Sequence, residues 1–111
     1  MPTAKKDNLN RIRAKVFKAL SDPIRLEIIE FLRGGEKCVC EIIPHIDVIQ
    51  PLVSRHLRIL KDCGLVKDRK DGVRRLYSIT DSNIFETVDS LTPATVANLS
   101  RLLVEQITIE A

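Results

Sequence analysis

The chain is predicted to be mainly helical with one small β-hairpin, an α+β fold, and three observations predict it. Val53, Leu57 and Leu60 recur at helical spacing, while Ser54, Arg55, Arg58 and Lys61 project from the opposite side. Cys63-Gly64 stops that helix. Leu65 to Lys70 and Val73 to Ile79 then read as two short strands joined at Asp71-Gly72, a dipeptide suited to a tight primed hairpin turn.

The other elements follow in order. Leu9, Ile12, Val16 and Leu20 form an apolar stripe over a first helix, residues 9–20, that should pack against something outside the core. Asp22-Pro23 supplies an N-cap and a first-turn proline for a second helix, which buries Ile24, Ile28, Phe31 and Leu32 and ends at Gly34-Gly35. A short third helix, Glu41 to Ile46, precedes the turn into the arginine-bearing helix, and residues 41–63 thus read as a helix-turn-helix with a wing at 65–79. For the start of that helix, Asp47 with Gln50 has capping-box character, but Pro51 at a first helical position with Gln50 as cap is preferred, because proline deeper in a helix loses a backbone hydrogen bond. Residues 81–109 hold two more helices, Asp81 to Leu91 and one restarting at Thr92-Pro93 with Val96, Leu99, Leu103 and Ile107 in line. Apolar seams at both ends point to a homodimer through the terminal helices, since a single copy would expose too much apolar area.

Composition and charge narrow the function. At 111 residues and 44% hydrophobic content the chain, residues 1–111, is expected to form one domain with a real core. Aromatic residues at 4% are too few for a single-strand stacking surface. The formal charge is only +3, yet Ser54 to Leu76 carries eight Lys or Arg against three Asp, a local excess of five, which leaves the remainder at −2. A charge cluster taken alone is a solvated surface; this one lies on one helix face and the adjoining hairpin, the footprint of a site for double-stranded DNA. No apolar run reaches membrane-spanning length and Met1 to Asn10 lacks a signal-peptide core, so a cytoplasmic location is expected. Three cysteines, two of them one residue apart, do not make a secreted disulfide framework; reduced thiols with metal or redox chemistry fit better.

The sequence resembles the ArsR/SmtB repressors. The resemblance rests on the run Phe17 to Leu26 with Asp22-Pro23, on Cys38-Val39-Cys40-Glu41-Ile42, on Gln50-Pro51 with Val53-Ser54-Arg55-His56-Leu57, and on Leu60 to Val66 with the Gly72 wing. It implies a winged helix-turn-helix homodimer that binds an operator as a repressor and lets go when an effector binds. Carried over by position, Gln50, Leu52, Ser54, Arg55 and Arg58 meet the DNA from the recognition helix. Arginine can pair with guanine and Gln50 with adenine, but each could equally contact phosphate. Arg74 and Arg75 in the wing lie along the backbone or minor groove. Two departures stand out: Ile49 replaces a usual capping serine and Leu52 a common threonine. His56, on the side of Val53, reads as a packing or phosphate-contacting residue in preference to a ligand.

Cys38 and Cys40 occupy the family's thiolate site, for which the resemblance implies As(III), Sb(III), Cd(II) or Pb(II) as effector, with no cofactor required for DNA binding. A helix N-terminus and Lys37 would lower the thiol pKa. The third cysteine common in metalloid sensors is Ile43 here, so a three-thiolate set is incomplete; His45 and Cys63 are the candidate substitutes, and the last helices carry no His for a zinc site. The alternative is redox sensing by the same two thiols. A non-regulatory interaction module or a small enzyme is the remaining alternative. The chain is not expected to be an enzyme: no phosphate-cradling glycine loop, metalloprotease helix or paired-carboxylate motif occurs, and His56 and Cys63 are about 10 Å apart along one helix.

Overall fold

The computed structural model describes residues Pro2–Glu110. Six helices surround a three-stranded sheet: α1 (Pro2–Leu20), α2 (Pro23–Phe31), β1 (Lys37–Cys38), α3 (Val39–Ile46), α4 (Gln50–Asp62), β2 (Val66–Asp71), β3 (Arg74–Ile79), α5 (Asn83–Asp89) and α6 (Pro93–Glu110), with one 3-10 turn at Leu32–Gly34 after α2.

Local chemistry sets most of the boundaries. Asp22 caps α2 as expected, its Oδ1 accepting from the backbone N–H groups of Ile24 at 2.8 Å and Arg25 at 3.2 Å, with Pro23 in the first turn. α3 begins at Val39 and not at Glu41, because Cys38 itself is the cap: its Sγ accepts the Cys40 N–H while Glu41 accepts the Cys38 N–H, a reciprocal capping box. Asp47 terminates α3 in the left-handed region (φ 60°), a conformation Asp tolerates, and so cannot open α4. The cap of α4 is Ile49, with no side-chain bond, and Gln50 is already helical. Pro51 falls at the second helical position, where its missing N–H is one of the unsatisfied donors of the first turn in any case.

The hairpin closes one residue later than the sequence suggests. Asp71 pairs with Arg74, so the turn residues are Gly72 and Val73. Gly72 has φ 64° and Val73 does not share a positive φ, so glycine occupies the first central position, as in a II′ turn. The two-residue β1 has no alternation to mark it in the sequence; it pairs antiparallel with β3, Lys37 opposite Tyr77 and Cys38 opposite Leu76, giving the order β1-β3-β2.

The core joins Ile28, Ile29 and Leu32 to Ile42 and Ile46 of α3, Val53, Leu57 and Leu60 of α4, and Leu65 and Val66 at the root of the hairpin. Ala19 and Leu20 are the parts of α1 buried here. α5 leans on the core through Ile84, Phe85 and Val88, and Arg33 ties it down, its guanidinium 4.6 Å over the Phe85 ring and bonded to Asp89 at 2.8 and 3.0 Å. Leu9 and Ile12 of α1 and Val96, Leu99 and Leu103 of α6 stay exposed, as the apolar seams anticipate, with Phe17 and Leu102 exposed beside them. The rest of the α1 stripe does not stay outside the core, since Leu20 is buried in it and Val16 packs against it where the end of α1 meets α2. Ile107 of the same seam lies outside the described side chains.

Candidate nucleic-acid interface

α4 is fixed from behind by Val53, His56, Leu57 and Leu60, all buried, which turns Ser54, Arg55 and Arg58 to solvent. Gln50 is exposed in the first turn. Leu52 points elsewhere: it is half-buried on the flank of α4, lining a cleft with Asp22, Ile24, Arg25, Arg55 and His56. Ser54 and Arg58 instead line a cleft of about 410 Å³ between α4 and the hairpin, opposite Asp68, Arg75 and Tyr77.

One carboxylate braces that cleft. Asp68, with its side chain 8% exposed, takes Lys61 Nζ of α4 at 2.9 Å on one oxygen and Arg75 Nη1 of β3 at 2.6 Å on the other. The hydrogen bond from Lys61, joined by that from Arg75, outweighs desolvation and holds the Asp68 carboxyl below the usual carboxylate range. The hairpin is therefore strapped to the recognition helix by a charge that sequence reasoning counted only as a subtraction from the basic total. The clue was available: an acid between Lys67 and Arg69 in an otherwise basic strand.

Charge neutralisation divides the basic segment. Lys61, Arg69 and Arg75 are paired, Arg69 with Glu36 at 2.8 Å, and Arg74 lies 3.7 Å from Glu41 with its side chain about half exposed. Arg55, Arg58, Lys67 and Lys70 form no ion pair among the described residues. The free cations thus fall on the outer face of α4 and on β2 of the wing.

The cysteine pair adjoins the same hairpin. Cys38, 3% exposed, and Cys40, exposed, have their Cα atoms 5.0 Å apart and their sulfurs in bonding contact, a disulfide. Neither candidate substitute joins them. His45 is exposed and stacks on Phe31, ring centroids 3.9 Å apart, and Cys63 lines a cleft with Lys15, Lys18 and Arg25 while donating to the Leu60 carbonyl at 3.3 Å. Among the described residues no three His, Cys, Asp or Glu groups gather as a metal site. The reduced thiols expected from the sequence are thus replaced by a disulfide, because the α3 cap brings the two sulfurs together; only on reduction would the pair offer two thiolate donors.

An outward cationic helix face, rigidly backed and flanked by a braced hairpin, defines a winged helix-turn-helix DNA-binding regulator. The sequence pattern of the bacterial regulatory proteins of the arsR family matches residues 22–68. An HTH-type transcriptional regulator of Methanocaldococcus jannaschii is 45% identical over 76 residues, 68% of this chain and 85% of that protein. The arsenical resistance operon repressor of Staphylococcus aureus is 35% identical over 83 residues, 75% of this chain and 80% of that protein. Among solved structures, the homodimeric winged helix-turn-helix DNA-binding domain of a possible ArsR-family regulator from Mycobacterium bovis aligns with a TM-score of 0.75 at 29% identity, covering 87% of this chain and 90% of that one. The chain belongs to the arsR family of transcriptional regulators. No described helix is long and apolar enough to cross a membrane.

Proposed function

We propose that the protein is a cytoplasmic homodimeric repressor that holds an operator with two copies of α4 and releases it when the Cys38-Cys40 pair is engaged by a soft metal or metalloid such as arsenite. The observation that carries the reading is the unpaired Arg55-Arg58 face of α4 set beside the strapped wing. A duplex offers phosphate and base edges to such a face, and the counterions it displaces make affinity fall steeply with salt. Wing Arg74 and Arg75 add affinity along the backbone, Arg75 within the limit set by Asp68.

Dimerisation is supported by the exposed apolar seams of α1 and α6 and by the homodimer of the Mycobacterium bovis relative. A two-fold through those helices would set the recognition helices about 34 Å apart, one per successive major groove.

The effector reading follows from placement. Cys38 is at once the cap of α3, a residue of β1 and the neighbour of Glu41, whose Oε1 lies 3.1 Å from the Cys38 nitrogen and 3.7 Å from Arg74 of the wing. In the reduced protein, where a cellular thiol has supplied the two electrons that open the disulfide and two thiolates result, a soft ion bound between them would alter the cap and with it the Glu41 contact to the wing. It drives release only in so far as it binds the DNA-free conformation more tightly. Thiol oxidation is the second reading, favoured by the contact between the sulfurs and by a donor set of two.

The test is a binding titration of the protein, first reduced with a phosphine that is then removed, on the duplex upstream of its own gene, against random duplex, with and without arsenite, cadmium and a thiol oxidant. Specific binding relieved by arsenite supports the reading; relief by oxidant alone transfers the switch to redox chemistry. Equal affinity for both duplexes would remove the regulator reading.

A further inference from the structure

Ile49 is the cap of α4, and its side chain is 72% exposed at the end of the recognition helix. Its neighbours offer it no partner role: it makes no side-chain cap, and the core behind α4 is filled by other residues. Its backbone is held firmly, the carbonyl accepting from Leu52 N–H at 3.0 Å and Val53 N–H at 3.2 Å. A β-branched side chain on a fixed backbone has little rotamer freedom, so its methyl groups are presented in a set direction. The side chain stands where a helix-turn-helix meets base edges, since it is the N-terminal residues of a recognition helix that enter the major groove.

We propose that Ile49 is a specificity residue that reads the 5-methyl group of a thymine in the operator. The inference rests on α4 being the groove-entering helix. A major groove displays hydrogen-bonding groups on every base and a single apolar group, the thymine methyl. An isoleucine can neither donate nor accept, so against cytosine, guanine or adenine it only desolvates polar edges, whereas against thymine it buries one methyl on another. The adjacent Gln50, exposed as well, carries the amide that pairs with adenine, so the two residues together favour A·T pairs where α4 enters the groove. Arg55 and Arg58, one and two turns on, supply the charge that holds the helix there.

Deoxyuridine tests this because it lacks only that methyl. The full chain is used to select from a duplex pool randomised over the span of two major grooves, and each thymine of the enriched site is then replaced singly by deoxyuridine. At one position in each half-site the replacement should weaken the parent about fourfold, or about fifteenfold when both half-sites are changed. Ile49→Ala should bind thymine and deoxyuridine duplexes alike, and Ile49→Val should keep part of the difference; both should unfold like the parent, the site being exposed. A parent indifferent to every replacement, or an Ile49→Ala variant that keeps the whole penalty, overturns the proposal. A pool that yields no enriched sequence overturns it too, and in that case the operator reading falls first.

Discussion

Nη1 of Arg25 lies 3.1 Å from Nδ1 of His56, joining α2 to the buried side of the recognition helix. The same guanidinium donates from Nε to the Ala19 carbonyl at 2.5 Å and from Nη2 to the Lys18 carbonyl at 3.3 Å, so it also closes the C-terminal end of α1. An arginine always donates, so in this contact Nδ1 of His56 is the acceptor. His56 is therefore a packing residue with a satisfied partner, as its place beside Val53 in the sequence suggests.

Removing that guanidinium should unfold the protein more easily. Arg25→Ala leaves Nδ1 of the buried His56 and the Ala19 carbonyl without that donor, while the Lys18 carbonyl keeps the Ser21 N–H and hydroxyl, and urea denaturation should show a loss of about 1–3 kcal/mol. Arg25→Lys, a single ammonium in place of a planar fork, should recover less than half of it. A loss below about 0.5 kcal/mol for Arg25→Ala, the level of an ordinary surface change, would show the bridge to be idle.

On the outer face of the same helix, Arg55→Ala and Arg58→Ala should each weaken operator binding by about 1–3 kcal/mol if they read bases, with stability unchanged. Arg74→Ala should weaken specific and random duplex alike and shallow the salt dependence. Retention of operator affinity in both helix variants, with its loss in Arg74→Ala, would move the reading surface from α4 to the wing.

Much of this arrangement is legible in the residues themselves, and the parts that are not share a cause. Helix periodicity places α4, and Asp22-Pro23 starts α2, because each is a local pattern with a local mechanism. β1 is invisible in the sequence: two residues carry no alternation, and they become a strand only because β3 offers a partner edge. Ile49 as a cap violates local preference and is imposed by the turn before it, where Asp47 ends α3. The cysteines were legible as a pair; the cap formed by Cys38 is local, with Cys40 and Glu41 as partners, but cysteine is not an ordinary capping residue, and the stacking of His45 on Phe31 depends on a neighbour in another helix. Ion pairs such as Lys61-Asp68-Arg75 need the hairpin folded against α4 before they exist.

The strap on Asp68 predicts a pH dependence. Its carboxyl titrates lower in the folded chain than in the unfolded one, because Lys61 first, and Arg75 with it, favour the charged form over the opposing desolvation. The stability it contributes is present above the unfolded value, about pH 4, and is lost as pH falls through the lower folded value. Asp68→Asn should therefore be less stable at pH 7 and lose less than the parent on acidification below about pH 4, followed by thermal unfolding across pH. Parallel profiles for the two proteins would show the strap to be energetically silent.

Exposed leucines on α6 predict the assembly. Leu99→Glu places a charge on a seam that is 55% exposed in one copy and buried in the proposed dimer. Sedimentation at micromolar concentration should show the parent as a dimer and the variant as a folded monomer with weakened operator binding. A parent that sediments as a monomer yet binds a half-site tightly would remove the two-fold arrangement.

The cysteine pair should behave as one switch. Cys38 is the cap of α3, and serine is a good cap, so Cys38→Ser should keep the helix and operator binding; Cys40, exposed in the first turn, should tolerate serine equally. Both variants lose a sulfur from a two-sulfur donor set, and a hydroxyl does not replace thiolate toward a soft ion or in a disulfide. Each should therefore hold its operator in arsenite and in oxidant, where the parent lets go of it in at least one. Cys63, bonded to the Leu60 carbonyl at the far end of α4, has no part in the pair, and Cys63→Ser should respond like the parent. If Cys63→Ser alone loses the response, the sensor lies in the cleft beside Lys15, Lys18 and Arg25; if all three variants respond normally, effector release does not run through thiols.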